Sequence, residues 1–127
     1  MRDEQARRYA RHLKLVDVGP LGQAALMTAS ARVVLREAEP RAELVAATYL
    51  AAGGAGKVIV PNATDAQVHD IAAHGPDTRV ATSGDGREVE LAPRPAWWPS
   101  TEGDEVALAF WRGARAAIRW MTETIER

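Results

Sequence analysis

The sequence predicts an α/β domain, and three observations carry that expectation. Ala31-Arg32-Val33-Val34-Leu35 reads as a buried, β-branched strand, and Lys57-Val58-Ile59-Val60 reads as a second one stopped by Pro61. Between them lies a stretch of good helix formers that ends at Gly53-Gly54-Ala55-Gly56. Strand, helix and strand within about 30 residues form a βαβ unit, which implies a parallel pair joined by a right-handed crossover.

The remaining elements follow in order. Asp3 to Leu15 places Ala6, Tyr9, Ala10 and Leu13 at helical spacing, with Arg7, Arg8, Arg11 and Lys14 on or beside the other face. Gly19-Pro20 and Gly22 stop that helix and turn the chain, and Gln23 to Ser30 forms a short second one. Pro40 fits the first turn of the crossover helix, which runs to about Ala52 and buries Leu44, Val45, Thr48 and Leu50 or their neighbours. Thr64 or Asn62 caps a helix to His74 with Val68, Ile71 and Ala72 inward. Thr78–Thr82 and Arg87–Leu91 are strand-like, and Ser83-Gly84-Asp85-Gly86 between them predicts a β-hairpin on an antiparallel edge. Ala92 to Ser100 is rich in proline and reads as extended. Asp104 to Glu126 is a long C-terminal helix with Val106, Phe110, Trp111, Ala114, Ala117, Ile118, Met121 and Ile125 on one face, capped by Ser100 or Thr101.

Composition excludes several functions. At 127 residues a single domain spanning 1–127 is expected, and 46% hydrophobic with 26% charged residues is a globular balance. A net charge of -1 supplies no field that would draw the chain to nucleic acid or an anionic membrane. The absence of Cys excludes disulfides, Cys-ligated zinc or iron–sulfur centres, and a thiol nucleophile. No apolar run reaches the roughly 20 residues of a membrane helix, and Met1 to His12 lacks the apolar core of a signal peptide. A cytoplasmic protein is the expectation.

Two motifs point further. Arg8-Tyr9-Ala10-Arg11 with Leu15, then Gly19-Pro20-Leu21-Gly22-Gln23-Ala24-Ala25-Leu26, is followed by the first strand, Tyr49-Leu50-Ala51-Ala52-Gly53-Gly54-Ala55-Gly56 and the second strand. In type and order these resemble the opening of the ThiF/MoeB/HesA family, relatives of the E1-like ubiquitin-activating enzymes, over Gln5 to Asn62. The resemblance implies a truncated Rossmann-like fold and packing of N-terminal helices across a dimer interface. It also implies adenylation of a ubiquitin-like or sulfur-carrier protein at a glycine-rich phosphate loop.

The loop departs from that pattern. Glu37-Ala38-Glu39-Pro40-Arg41-Ala42-Glu43 holds no glycine, three carboxylates stand where phosphates would sit, and Pro40 removes a donor. Asn62 matches the family's ribose-binding Asp and keeps only a neutral hydrogen bond. Ala73 stands at a later Arg position, and the family's downstream metal and cysteine region has no counterpart. Arg11 matches the arginine that reaches across the dimer to the partner's ATP phosphates, where a guanidinium offsets charge in adenylyl transfer. Arg8, Tyr9 and Arg11 are the implied dimer or partner contacts.

The leading expectation is therefore a non-catalytic pseudoenzyme that regulates or pairs with an activating enzyme. It would form a homodimer, or a heterodimer with a full-length ThiF-like protein, with a ubiquitin-like or sulfur-carrier protein as a further partner and no cofactor. Two alternatives stay open: an ATP-dependent adenylyltransferase with a rebuilt nucleotide loop, and a small-molecule-binding module using the crevice after the first strand. Gly53 to Lys57 resembles a P-loop tail, but Val58 replaces Ser or Thr and a strand follows, so it reads as a turn. His69 and His74 lack the spacing of helical metal ligands. Arg112, Arg115 and Arg119 read as a solvated stripe, and Trp97-Trp98 as a clamp packing onto the core or, second, an exposed partner anchor.

Overall fold

A computed structural model describes residues 20–98 and 105–127. The helix expected over 3–15, with Arg8, Tyr9 and Arg11, lies outside the described residues, as do the caps Ser100 and Thr101. The chain runs α1 (Pro20–Met27), β1 (Ser30–Arg32), α2 (Arg41–Ala52), β2 (Lys57–Ile59), α3 (Asp65–His74), β3 (Arg79–Ala81), β4 (Arg87–Glu88) and α4 (Glu105–Ile125). The four strands form one sheet in the order β3-β2-β1-β4, and every neighbouring pair is parallel.

The sheet's two faces are unequal, and the alternation of side chains shows why. Ala31 lies opposite Val58, and both belong to the main core with Val33 and Val60, two residues further along. Leu26, Ala46, Ala47, Leu50, Ile71, Ala117 and Met121 from the four helices complete that core, so the helices form a single layer on this face. Ile59 is fully buried on the opposite face and stands apart from the main core. It is covered by the link between β3 and β4.

That link overturns the expected hairpin. β3 and β4 occupy opposite edges of the sheet, each parallel to its neighbour. The Ser83-Gly84-Asp85-Gly86 segment crosses the sheet instead of reversing beside it. A Cβ on Gly84 would lie 3.0 Å from both Ile59 Cδ1 and Lys57 Nζ, and its φ of +134° suits glycine alone. Local turn chemistry lost to tertiary pairing, because β4 satisfies the otherwise open edge of β1.

Side chains lock β4 in place. Arg87 lies opposite Ala31 in the register and so points toward the helices. Its guanidinium donates to the Trp120 carbonyl at 2.9 Å and to Thr124 Oγ1, and its Cζ stacks 4.6 Å from the Trp120 ring centroid. Trp120 Nε1 donates back to the Arg87 carbonyl at 3.0 Å. Burial holds the Arg87 guanidinium below its ordinary pKa; Arg127 lowers it further, while Glu123 opposes the shift.

Several expected faces are rotated. In α2 the buried residues are Ala42, Glu43, Ala46, Ala47, Leu50 and Ala51, whereas Leu44 and Val45 are half-buried. In α4 they are Gly113, Ala116, Ala117, Trp120, Met121 and Thr124, and Val106 and Phe110 are 63% and 52% exposed. Small residues thus face the α2–α4 contact and bring the two helices close, while larger apolar groups border it. α3 begins as expected, with the Thr64 hydroxyl accepting from the Gln67 N–H and Gln67 Oε1 accepting from the Thr64 N–H. Pro40 sits at the N-cap of α2, one residue before the first turn.

Candidate functional site

In an open parallel sheet, ligands bind outside the carboxyl ends of the strands where connections leave in opposite directions. Here β1 connects through α2 to β2 on one side, while β4 pairs with its other side. A cavity of about 140 Å³ opens at that point. Val33 and Val34 after β1, with Val89 and Leu91 after β4, form its apolar wall. Arg36, Glu37 and Glu43 supply its polar groups.

Glu43 organises the crevice. It is the third residue of α2 and only 2% exposed, and a carboxylate in a helix's first turn meets the positive end of the macrodipole. Its Oε2 accepts from the backbone N–H groups of Arg36 and Glu37, both at 3.1 Å. These donors belong to the loop after β1, where the resemblance placed nucleotide phosphates. The chain's own carboxylate holds both donors.

The other two loop carboxylates are held in ion pairs. Glu37 pairs with Arg112 at 3.3 Å and Glu39 with Arg41 at 3.3 Å. Arg36 reaches outward to Glu88 at 2.6 Å, and Arg112 also donates to the Ala92 carbonyl at 2.8 Å. Of the three loop carboxylates, Glu43 is the one buried against the loop N–H groups.

Other candidates separate from this site. Asn62 sits beyond β2 and its Nδ2 donates to the Leu35 carbonyl at 3.4 Å, so its amide ties two loops together outside the cavity lining. Gly53 to Gly56 form the turn that ends α2, with Gly53 N–H donating to the Tyr49 carbonyl at 2.8 Å and Gly54 at φ 92°. His74 Nδ1 lies 2.8 Å from the Asp70 carbonyl, and no group of side chains suited to a metal ion occurs among the described residues. Arg112 and Arg119 are paired with Glu37 and Glu123, so the arginine stripe forms part of the protein's own ion-pair network.

Trp97, Trp98 and Trp111 form a cluster with ring centroids 5.8–6.2 Å apart. At that spacing the rings contact one another and leave no room for a guest between them. Trp97 is nevertheless 71% exposed, so only part of the pair packs inward as expected. No helix among the described residues is long and apolar enough to cross a membrane.

Glu43 was legible only as one of three loop carboxylates, although its position three residues after Pro40 is where an acid can reach back over a helix N-terminus. The contribution of Val89 and Leu91 was hidden because it depends on β4 lying beside β1. Compared with known proteins, the chain matches no protein-family model, no curated protein and no solved structure.

Proposed function

We propose that the chain is a non-catalytic relative of the ThiF/MoeB/HesA family that acts by protein contact. It would serve as a dimer subunit or regulator of an enzyme that activates a ubiquitin-like or sulfur-carrier protein. The observation that carries this reading is the Glu43 carboxylate bound to the Arg36 and Glu37 N–H groups. A triphosphate approaching those donors would have to displace a buried carboxylate and would meet its charge. Strand order adds support, since β3-β2-β1-β4 is the order in which doubly wound nucleotide-binding sheets begin.

Isothermal calorimetry with ATP and magnesium tests the non-catalytic half of the proposal. The expected result is no saturable heat into the millimolar range; tight, magnesium-dependent binding would identify an adenylyltransferase instead. The partner half is tested with Arg11→Ala in a reconstituted reaction containing a full-length ThiF-like enzyme. Adenylation is expected to slow about tenfold or more if Arg11 offsets phosphate charge in trans. An unchanged rate with the complex intact would remove that catalytic contribution and leave Arg11 as a contact residue.

A further inference from the structure

The same crevice retains an unsatisfied acceptor. Glu43 uses Oε2 for the loop N–H groups, while its Oε1 is sealed from solvent with no hydrogen-bond donor. A buried carboxylate oxygen without a donor carries a large desolvation cost, so its presence beside a cavity calls for a complementary group. The neighbouring cations do not supply one. Arg36 is paired with Glu88 and Arg112 with Glu37, which leaves the Glu43 charge over once those ion pairs are matched.

We propose that the crevice between the ends of β1 and β4 binds a small primary alkylammonium. Its N–H donors would meet Glu43 Oε1, and its carbon chain would lie against Val33, Val89 and Leu91. Three features select this chemistry. The unmatched group is an acceptor bearing negative charge, so the ligand must donate and benefits from positive charge. Val33, Val34, Val89 and Leu91 give the cavity one apolar side, which suits a hydrocarbon remainder of the ligand. The volume of about 140 Å³ is close to that of an engineered apolar cavity that accepts benzene, which limits the ligand to about six heavy atoms. Glu43 lines the cavity but its Oε1 is sealed, so binding requires the Glu43 side chain or its neighbours to shift and open Oε1 to the crevice.

This site goes beyond a role in protein contact and rests on Glu43 alone, whether or not ATP binds. The test is a titration of the whole chain with n-butylammonium, followed through the amide resonances of Arg36 and Glu37. 1-Butanol serves as an uncharged probe of similar shape, and tetramethylammonium as a cation without N–H donors. Saturable shifts are expected with n-butylammonium in the millimolar range or tighter, with both comparison probes at least tenfold weaker. Glu43→Gln keeps an oxygen for the two loop donors and places an amide N–H₂ in the other position. It should stay folded by circular dichroism and lose at least tenfold in n-butylammonium affinity.

No saturation with n-butylammonium would overturn the proposal and assign the space to solvent. Equal binding of 1-butanol or tetramethylammonium, or undiminished binding by a folded Glu43→Gln protein, would overturn it as well. Each of these outcomes leaves the ATP calorimetry result, and the non-catalytic reading it tests, unaffected.

Discussion

Replacing Gly113 with Ala is expected to destabilise the domain by about 2 kcal/mol, although the same change in an ordinary helix interior stabilises it by about 1 kcal/mol. Gly113 lies in the middle of α4 where that helix crosses α2. A Cβ there would sit 2.3 Å from the Ala42 carbonyl oxygen and 2.7 Å from Val45 Cβ. The first of these is backbone, which cannot rotate aside, so α2 and α4 must move apart. Separation weakens packing around Ala46, Ala47, Ala116 and Ala117, all of which are buried. Gly113→Leu should lose about 4 kcal/mol or more, enough to leave much of the chain unfolded if the parent has ordinary marginal stability. Urea denaturation measures both, with Ala107→Gly on the exposed side of α4 as the comparison for helix propensity alone. A Gly113→Ala protein as stable as the parent would mean that the close crossing of α2 and α4 does not depend on glycine.

That glycine illustrates which parts of the fold could be read in advance. Elements set by local chemistry were legible: the βαβ start from β-branched runs and the glycines after Ala52, α3 from its Thr64 cap, and α4 from its length and periodicity. Parallel pairing of β1 and β2 followed from the crossover itself. What escaped depends on residues distant in the chain. Asp85-Gly86 carries a strong hairpin signal, but nothing near it reveals that β1 has an open edge for Arg87 and Glu88 to occupy. The buried face of α4 was misread because large apolar residues, Val106 and Phe110, were weighed above small ones. In a close helix crossing the small residues go inward, and Trp120 is buried through its stack with Arg87 and its hydrogen bond to the Arg87 carbonyl. The site followed the same division. The three carboxylates and the missing glycine of the 37–43 loop were visible from its residue types, whereas the selection of Glu43 over Glu37 and Glu39 as the buried one required their ion-pair partners, Arg112 and Arg41, to be known.

Removing the Glu43 side chain should produce a protein whose stability responds to phosphate. In Glu43→Ala the N–H groups of Arg36 and Glu37 lose their shared acceptor in a part-buried loop. Each unmatched donor costs about 1–3 kcal/mol, partly offset because the unpartnered Glu43 Oε1 is also removed, so a net loss of about 2–3 kcal/mol is expected. The vacated position then presents two converging N–H donors near the first turn of α2, an environment suited to an anion. Phosphate or sulfate should restore part of the loss, about 1.4 kcal/mol at ten times its dissociation constant, whereas chloride at equal ionic strength should not. The parent protein should show no such specific response, because its own carboxylate holds the donors. Glu43→Gln should lose less stability and also show no phosphate response, since its amide oxygen can still accept both bonds. Thermal unfolding of the three proteins across a phosphate series distinguishes two roles for Glu43. Selective recovery of Glu43→Ala identifies the carboxylate as an internal substitute for phosphate. Uniform recovery by every salt, or none, reduces it to a clasp that holds the loop against α2 and removes the main physical ground for the proposed non-catalytic reading.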